Sequence, residues 1–407
     1  MPEKLKKSTL YLNYAFILYA FCIPLSRAGI VFSSILIIVL WIIEGNFKSK
    51  FKILKDIKFI LFSIILTCYL LLSVFWSDSS SYNYHDFDKF WYYLTFFAIT
   101  TSLKKKFLPY LLYSFIFAMS IDIILSYGMF LEFWSLKHGT AINPTPFMNH
   151  LEYSILLAVV SLVFFNKLIL TKSVSVLKIT YLIMFIISTI NLFLIQGRIG
   201  QLSFFLSIFI LIIFYFKNKF KAFFYSITLI SIILFSSYHL SDSFKYRLNQ
   251  TIADVKNVIE KKDFSGSWGI RASAWVVTYN ILKDNILFGT GIADLDLDYK
   301  RIIEIEKVVQ VNDTSAMYNG GYHNEFLELT AAGGLISFLL FIIIFYYLSK
   351  IEIKDLEIRN IKIFLLVVLL FSLLGDNFLR LQFTMNLFSL FIGIILAQEK
   401  LEKSFQV

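Results

Sequence analysis

Residues 322–348 read YHNEFLELTAAGGLISFLLFIIIFYYL, a short polar head followed by an almost unbroken apolar run. About 20 apolar residues in a helix cross the hydrocarbon core of a bilayer, and residues 326–348 are long enough to do so. The polar head places His323, Asn324 and Glu325 where such a helix would meet the membrane boundary. The stretch therefore predicts a transmembrane helix that begins with an interfacial polar group.

The composition of the whole chain agrees with this interpretation. Hydrophobic residues make up 58% of the chain and charged residues 16%, against roughly 25% charged residues in soluble domains. The mean hydropathy is +0.72. The apolar runs are continuous, which favours helices over the alternating pattern of an outer-membrane barrel. We therefore predict an all-α polytopic membrane protein and reject a soluble enzyme.

Apolar runs along the chain predict about twelve transmembrane helices. Residues 10–25 are interpreted as a retained first span, because no small-residue cleavage pattern follows them. The predicted spans lie near residues 10–25, 29–43, 57–75, 90–103, 107–130, 150–166, 178–196, 201–216, 222–238, 326–348, 362–376 and 382–397. The fourth and eleventh are the shortest or most polar of the set.

The net charge of +10 comes largely from lysines in short loops between these runs, which is typical of cytoplasmic loops and not of nucleic-acid binding. The opposite short loops hold only Arg27, Lys89, Lys137, Arg198 and Arg380. This asymmetry predicts an even number of spans, with both termini in the cytoplasm.

The chain divides into three predicted parts. Residues 1–238 form the first nine transmembrane helices, and residues 326–407 form the last three and a cytoplasmic tail. Residues 239–325 are the long loop between the ninth and tenth spans, with helix-like patches separated by FSGSWG and FGTGIAD. We expect this loop to be a helical subdomain on the outer face, because long ordered loops are usually functional.

Cationic residues on the outer face are the main candidates for chemistry. Arg198 lies in a short connection, QGRIGQ, and a guanidinium there suits phosphate oxygens, although it could instead reach the lipid headgroups. Arg271 begins the patch RASAWVVTYNILKDN, with Trp275 one turn later, although it could be a solvated loop residue. Lys89 could add a second phosphate contact or simply pair with a nearby aspartate.

His323 is the candidate general base, because a neutral imidazole can accept a proton from a hydroxyl near pH 7. It could also simply cap the tenth helix. Asn324 could orient His323, contact substrate or cap the helix. Gly333 and Gly334 would let that helix pack closely against a neighbour. Cys22 and Cys68 lie in apolar runs, no spacing suggests a metal site, and no cofactor is expected.

Four stretches in order resemble the O-antigen ligase family, which also includes O-antigen polymerases. They are SVFWSD, GRIG, the stretch RASAWVVTYNILKDNILFGTGIADL, and YHNEFLELTAAGGLIS. Gly197, Asn285 and Ser337 depart from the family pattern and leave ligase and polymerase both open. The resemblance covers mainly residues 195–340.

The resemblance implies metal-independent, inverting transfer of a glycan from undecaprenyl diphosphate to a sugar hydroxyl of lipid A–core. The reaction would take place at the periplasmic face of the bacterial inner membrane, with membrane lipids as the other partner. Arg198 and Arg271 would bind the diphosphate, with Trp275, Lys89 and Asn324 as further contacts. His323 would activate the acceptor hydroxyl.

Three alternatives remain at this stage. A polymerase would use a lipid-linked repeat unit as acceptor, and an oligosaccharyltransferase would use a protein. A transporter of lipid-linked glycans is less compatible, because charge is sparse within the spans and polar residues collect on one face.

Overall fold

The computed structural model describes residues 6–79, 84–305 and 321–404, and these residues contain helices and no β-strand. The predicted all-α class is confirmed. The helices up to residue 240 are α1 (Lys7–Leu25), α2 (Arg27–Glu44), α3 (Phe47–Lys55), α4 (Lys58–Leu72), α5 (Leu94–Ser102), α6 (Leu108–Phe130), α7 (His150–Leu170), α8 (Val176–Leu194), α9 (Arg198–Tyr215) and α10 (Lys219–Leu240). The later helices are α11 (Asp242–Lys261), α12 (Ser267–Asp284), α13 (Leu295–Lys300), α14 (Glu325–Ser349), α15 (Leu356–Leu373) and α16 (Gln382–Ser404).

Ten helical segments in the described part of the chain are long and apolar enough to cross a membrane. The chain is therefore a multi-pass membrane protein. Ten of the twelve predicted spans coincide with these segments. They are Lys7–Leu25, Arg27–Glu44, Lys58–Trp76, Lys105–Phe130, His150–Leu170, Val176–Leu194, Arg198–Tyr215, Lys219–Leu240, Glu325–Ser349 and Gln382–Lys403.

The helix bundle has two chemically different ends. Buried or half-buried lysines bind acceptors at one end, which we call the lysine end. There Lys50 pairs with Glu44 (2.9 Å), and Lys167 pairs with Glu357 (2.7 Å). The other end, where α7, α9 and α14 begin, we call the site end. The predicted sorting of lysine-rich loops from the candidate residues is thus visible in the packing.

The predicted fourth span is not a long apolar helix. A 3₁₀ segment, Tyr84–Tyr93, leads into the nine-residue helix α5. Tyr93 Oη donates to the Leu379 carbonyl (2.8 Å) just before α16, whereas Lys400 near the end of α16 donates to the Thr101 carbonyl (2.9 Å). The segment therefore follows α16 from the site end to the lysine end, with the 3₁₀ rise of about 2.0 Å per residue compensating for a short α-helix.

The predicted eleventh span, residues 362–376, coincides with most of α15. This helix falls outside the ten because its first two turns carry Glu357, Arg359 and Lys362. Glu357 pairs with Lys167 at the lysine end, and the Gly375 carbonyl after the helix accepts from Arg271 at the site end. Helix α15 therefore also connects the two ends.

Helix α14 is broken at Gly333 and Gly334, where the backbone leaves helical geometry. A loop, residues 286–291, fits its backbone into the break. Four hydrogen bonds join the two segments, from Thr290 N to Ala331 O (3.1 Å), Gly291 N to Ala332 O (2.9 Å), Leu335 N to Ile286 O (2.9 Å) and Ile336 N to Leu287 O (3.4 Å). The expected close packing is confirmed at both glycines, because Gly334 faces the backbone of this loop and Gly333 faces the Tyr69 ring of α4.

Candidate active site

Arg198 is the first residue of α9, and two glycines, Gly197 and Gly200, set its position against Ser154 of α7. A Cβ at Gly200 would lie 2.3 Å from the Ser154 carbonyl oxygen, so glycine is what lets α9 approach α7 this closely. From there Arg198 reaches α11 and α12. Its Nη2 donates to Ser267 Oγ (2.8 Å), and its Nη1 donates to the hydroxyl of Thr251.

Arg271 lies one turn along α12 from the same serine. Its Nη1 donates to the Ser267 carbonyl (2.8 Å) and to Ser267 Oγ (3.1 Å), so one hydroxyl accepts from both arginines. Its Nε donates to the Gly375 carbonyl (2.9 Å), and its Nη2 lies 3.7 Å from Asp376 Oδ2. Two chain-remote segments, α12 and the end of α15, thus meet at this guanidinium, and Ser267 joins α9 to them.

His323 completes the group from a strained backbone. Its φ is 47°, in the left-handed region that non-glycine residues adopt at a cost of about 1–3 kcal/mol. Its Nδ1 is buried and lies 3.4 Å from Asp376 Oδ1, at the outer limit of a hydrogen bond. The side chain retains 20% exposure. Asp376 therefore lies between His323 and Arg271, with one oxygen toward each.

Asn324 positions this histidine. Its Oδ1 accepts from Leu327 N (3.1 Å), which caps α14, and its Nδ2 donates to the Leu374 carbonyl (3.1 Å). The residue is only 3% exposed. Asn324 thus joins the start of α14 to the end of α15, two residues before Asp376.

A third arginine lies beside these residues. Arg247 on α11 donates from Nε to Gln196 Oε1 (2.9 Å) and from Nη1 to Gln250 Oε1 (2.7 Å). Within the described residues, neither Arg198 nor Arg247 forms an ion pair with a carboxylate. Asp254 lies within Coulombic range of Arg198, but its carboxylate accepts from Trp268 N (3.1 Å).

The cluster consequently has a surplus of positive charge. Among the described residues, only one of the three guanidiniums is in ion-pair contact with a carboxylate, namely Arg271 with Asp376. Burial lowers the pKa of Arg271, Asp376 raises it, and Arg247 lowers it again. A guanidinium remains charged despite such shifts. The arginines are held by neutral acceptors, an arrangement that leaves their charge available to an anion.

Two predicted site residues lie apart from this cluster. Trp275 is on the same helix as Arg271, but its side chain is 59% exposed and takes no part in the contacts that join the cluster. Lys89 is exposed at the site end and lies within Coulombic range of Glu152. The structure therefore brings Arg198, Arg271, His323 and Asn324 together, but not Lys89 or Trp275.

Sequence reasoning assigned no role in the site to Asp376, Arg247 or His150. His150 begins α7 and lies within Coulombic range of Arg247, Arg198, Arg271 and Asp376. An acidic residue directly after an apolar run on the face that holds the other candidates, as in LLGDN, was the available signal for Asp376. Within the described residues, no group of three His, Cys, Asp or Glu side chains is arranged to hold a metal ion.

Comparison with known proteins finds similarity to one family over part of the chain. A family model described as O-antigen ligase matches residues 183–342, a range that contains Arg198, Arg271 and His323. An uncharacterised protein of Haemophilus influenzae is 29% identical over 145 residues, which is 33% of this chain and 35% of that protein. The match spans about a third of that relative's length. Residues 183–342 of this chain are therefore similar to the O-antigen ligase family.

Proposed function

We propose that this protein is a glycosyltransferase that moves a glycan from undecaprenyl diphosphate to a sugar hydroxyl of lipid A–core. The convergence of Arg198, Arg271 and His323 on Ser267 and Asp376 carries the proposal. The match of residues 183–342 to the O-antigen ligase family model supports glycosyl transfer of the ligase or polymerase type.

The surplus positive charge is the proposed donor site. A diphosphate leaving group gains negative charge as its bond to the sugar breaks. Guanidiniums already held by Ser267, Thr251 and Gln196 can stabilise that charge without reorganising. This arrangement supports a reaction that needs no metal ion. Arg198 and Arg247 supply the charge, and Arg271 divides its donors between the donor site and Asp376.

His323 is the proposed general base. Asp376 faces Nδ1, which favours the tautomer with the proton on Nδ1 and leaves Nε2 to accept a proton. The acceptor hydroxyl oxygen attacks the anomeric carbon while its proton passes to Nε2. The bond from that carbon to the diphosphate oxygen breaks, and the electron pair leaves with the diphosphate. Attack opposite the leaving group inverts the anomeric centre.

The charge distribution supports an orientation in the bacterial inner membrane. Lysine-rich ends face the cytoplasm under the positive-inside rule, so the site end faces the periplasm. Both termini are then cytoplasmic. Residues 239–325, with α11, α12 and α13, form the proposed periplasmic subdomain above the bundle, between residues 1–238 and 326–407.

The acceptor substrate distinguishes this proposal from the alternative transferase functions. A polymerase would use the same donor site with a lipid-linked repeat unit as acceptor, and an oligosaccharyltransferase would use a protein. A transporter of lipid-linked glycans would have no use for a base held by Asp376.

Reconstitution tests the proposal. The purified protein in liposomes is given an undecaprenyl diphosphate glycan with either lipid A–core, a second lipid-linked unit or an acceptor protein. We expect product with lipid A–core, at the same rate in EDTA, and none from His323→Ala. Product with only one of the other two acceptors replaces the ligase by that alternative, and loss of activity in EDTA contradicts the metal-free mechanism.

A further inference from the structure

A cavity of about 790 Å³ lies beside the break in α14, away from the arginine cluster. Its walls come from four chain segments: the segment after α4 with Trp76, the end of α12 with Asn280, the inserted loop with Phe288, and α13 with Asp298. None of the residues that hold the proposed diphosphate site is among those lining it.

Backbone hydrogen bonds preform this cavity. Ile292 N donates to Ser73 Oγ (2.9 Å), and Asp294 accepts from the backbone N–H groups of Asp78 and Ser79 (both 2.7 Å). These contacts join the family-like stretches SVFWSD and FGTGIAD, which are more than 200 residues apart in sequence. The conformation of both walls is thus set before any ligand binds.

The apolar part of the lining is aromatic and accessible. Trp76 is 37% exposed and Phe288 is 54% exposed, and their ring centroids lie 6.1 Å apart at 73°. Amides and carboxylates surround these rings, at Asn280, Asp284 and Asp78. Exposed aromatic rings can pack against the C–H face of a sugar ring. Amides can donate hydrogen bonds to the sugar hydroxyls and accept hydrogen bonds from them, and carboxylates can accept hydrogen bonds from them.

The polar part of the lining is acidic. Asp78, Asp284, Asp294 and Asp298 line the cavity, with Arg301 as the opposing charge among the lining residues. Arg301 Nη2 pairs with Asp298 Oδ1 (2.8 Å), and the other Asp298 oxygen is buried without a well-formed hydrogen bond, although the Thr290 hydroxyl is near. Such a lining repels phosphate and carboxylate groups and attracts hydroxyl and ammonium donors.

Helix α12 connects the cavity to the arginine cluster. Asn280 follows Arg271 by nine positions, a rise of about 14 Å along the helix. A glycan of several sugar units attached at the cluster could reach this distance. The two places differ in charge, since one is cationic and the other acidic.

We propose that the cavity is a carbohydrate subsite for sugar units that are neutral or carry amino groups, and that it selects against anionic sugars. The role of this cavity in glycan transfer rests on the proposed function. The aromatic rings bind the sugar faces, Asn280 binds hydroxyls, and Asp78 and Asp284 bind hydroxyl or ammonium groups. The diphosphate is excluded from this cavity and directed to the arginines.

Direct binding of free oligosaccharides tests this subsite without the transfer reaction. Calorimetry on the purified full chain uses three probes: the neutral N-acetylglucosamine tetramer, the cationic glucosamine tetramer and the anionic galacturonic acid tetramer. We expect the first two to bind and the third not to bind at the same concentration. Equal binding of all three, or binding of none, overturns the proposal.

Variants assign the binding to this cavity. Asp284→Asn removes an exposed charge. It should lower the affinity for the cationic tetramer by about tenfold, the equivalent of ~1.4 kcal/mol. Phe288→Ala should lower the affinity for both the neutral and the cationic tetramer. Glu132→Gln, an exposed acid on another loop of the site end, is the matched control and should change nothing. Unchanged binding in both cavity variants also overturns the proposal.

The two proposals fail separately. His323→Ala should retain tetramer binding while it loses transfer. If the wild-type protein transfers no glycan but binds the tetramers as described, the subsite stands and the proposed function falls. If transfer proceeds while Asp284→Asn and Phe288→Ala bind the tetramers normally, only the subsite falls.

Discussion

At the scale of single residues, Asp376 organises the candidate site. Its two carboxylate oxygens lie 3.4 Å from His323 Nδ1 and 3.7 Å from Arg271 Nη2. One carboxylate therefore orients the proposed base and one of the proposed diphosphate ligands. Sequence reasoning found both of its partners from their type and motif but not the carboxylate, because nothing in local spacing relates residue 376 to residue 271.

His323→Ala should lower the rate of transfer by roughly 10²–10⁴-fold, because it removes the group that accepts the hydroxyl proton. His138→Ala is the matched control, since His138 is an exposed histidine of the same end. Turnover with the lipid-linked donor measures the effect. Full activity in His323→Ala would remove this residue from catalysis.

Asp376→Asn should keep the shape of the site but change its protonation. An amide can donate to Nδ1, which would place the imidazole proton on Nε2 and remove the base. We expect kcat to fall about a hundredfold or more while the KM for the donor changes little. The pH–rate profile should lose the limb that reports protonation of the general base. An unchanged profile would give Asp376 a purely structural role.

Arg198→Lys should lower activity by roughly 10–100-fold, because a single ammonium cannot make the forked contacts of a guanidinium. Arg359→Lys, an exposed arginine near the lysine end, is the control. Donor titrations separate affinity from turnover. Equal activity of Arg198→Lys and wild type would mean that Arg198 only anchors α9 at the membrane surface.

At the scale of elements, the break in α14 positions both the site and the cavity. The inserted loop 286–291 and the glycines at 333 and 334 form one backbone unit. A Cβ at Gly334, where φ is +63°, would lie 2.3 Å from the Leu287 carbonyl. Two of the family-like stretches therefore include residues that pack the backbone as well as residues proposed for chemistry.

Gly334→Ala should destabilise the protein more than Gly45→Ala. Gly45 has nearly the same backbone angles, with φ +70° and ψ −141°, but nothing lies within 4 Å of its Cβ position. Both variants share the backbone strain, so their difference reports the clash, about 1–3 kcal/mol. Thermal unfolding in detergent measures it. Equal losses would show that the loop moves freely away from the break.

At the scale of the whole molecule, charge sorts the two ends of the bundle. At the lysine end, lysines in or beside several different loops donate to carboxylates or backbone carbonyls. They are Lys50, Lys167, Lys219, Lys362 and Lys400. The proposed site residues come from the alternate loops. The fourth and eleventh predicted spans connect the ends although one begins as 3₁₀ helix and the other lies on a helix whose first two turns carry three charges.

Cysteine labelling tests the proposed orientation. In a background with Cys22→Ser and Cys68→Ser, Ser135→Cys lies at the site end and Ser173→Cys lies at the lysine end. A membrane-impermeant maleimide added to intact spheroplasts should label the first and spare the second. The reverse pattern would place the arginine cluster in the cytoplasm and end the periplasmic assignment.

The sequence by itself determined the fold class and ten of the spans, and it predicted which residues are candidates for the proposed chemistry. Runs of apolar residues and lysine-rich loops are local properties, and a bilayer imposes the same length on every helix. Arg198, Arg271, His323 and Asn324 were identified from such local patterns and motifs.

Only the tertiary structure decided which of these residues meet. Ser267 joins two arginines, Asp376 joins one of them to His323, and Lys89 and Trp275 lie elsewhere. It also decided that the glycines of α14 accept a backbone loop. These outcomes depend on contacts between segments tens to hundreds of residues apart, and their geometry exists only once the helices have packed.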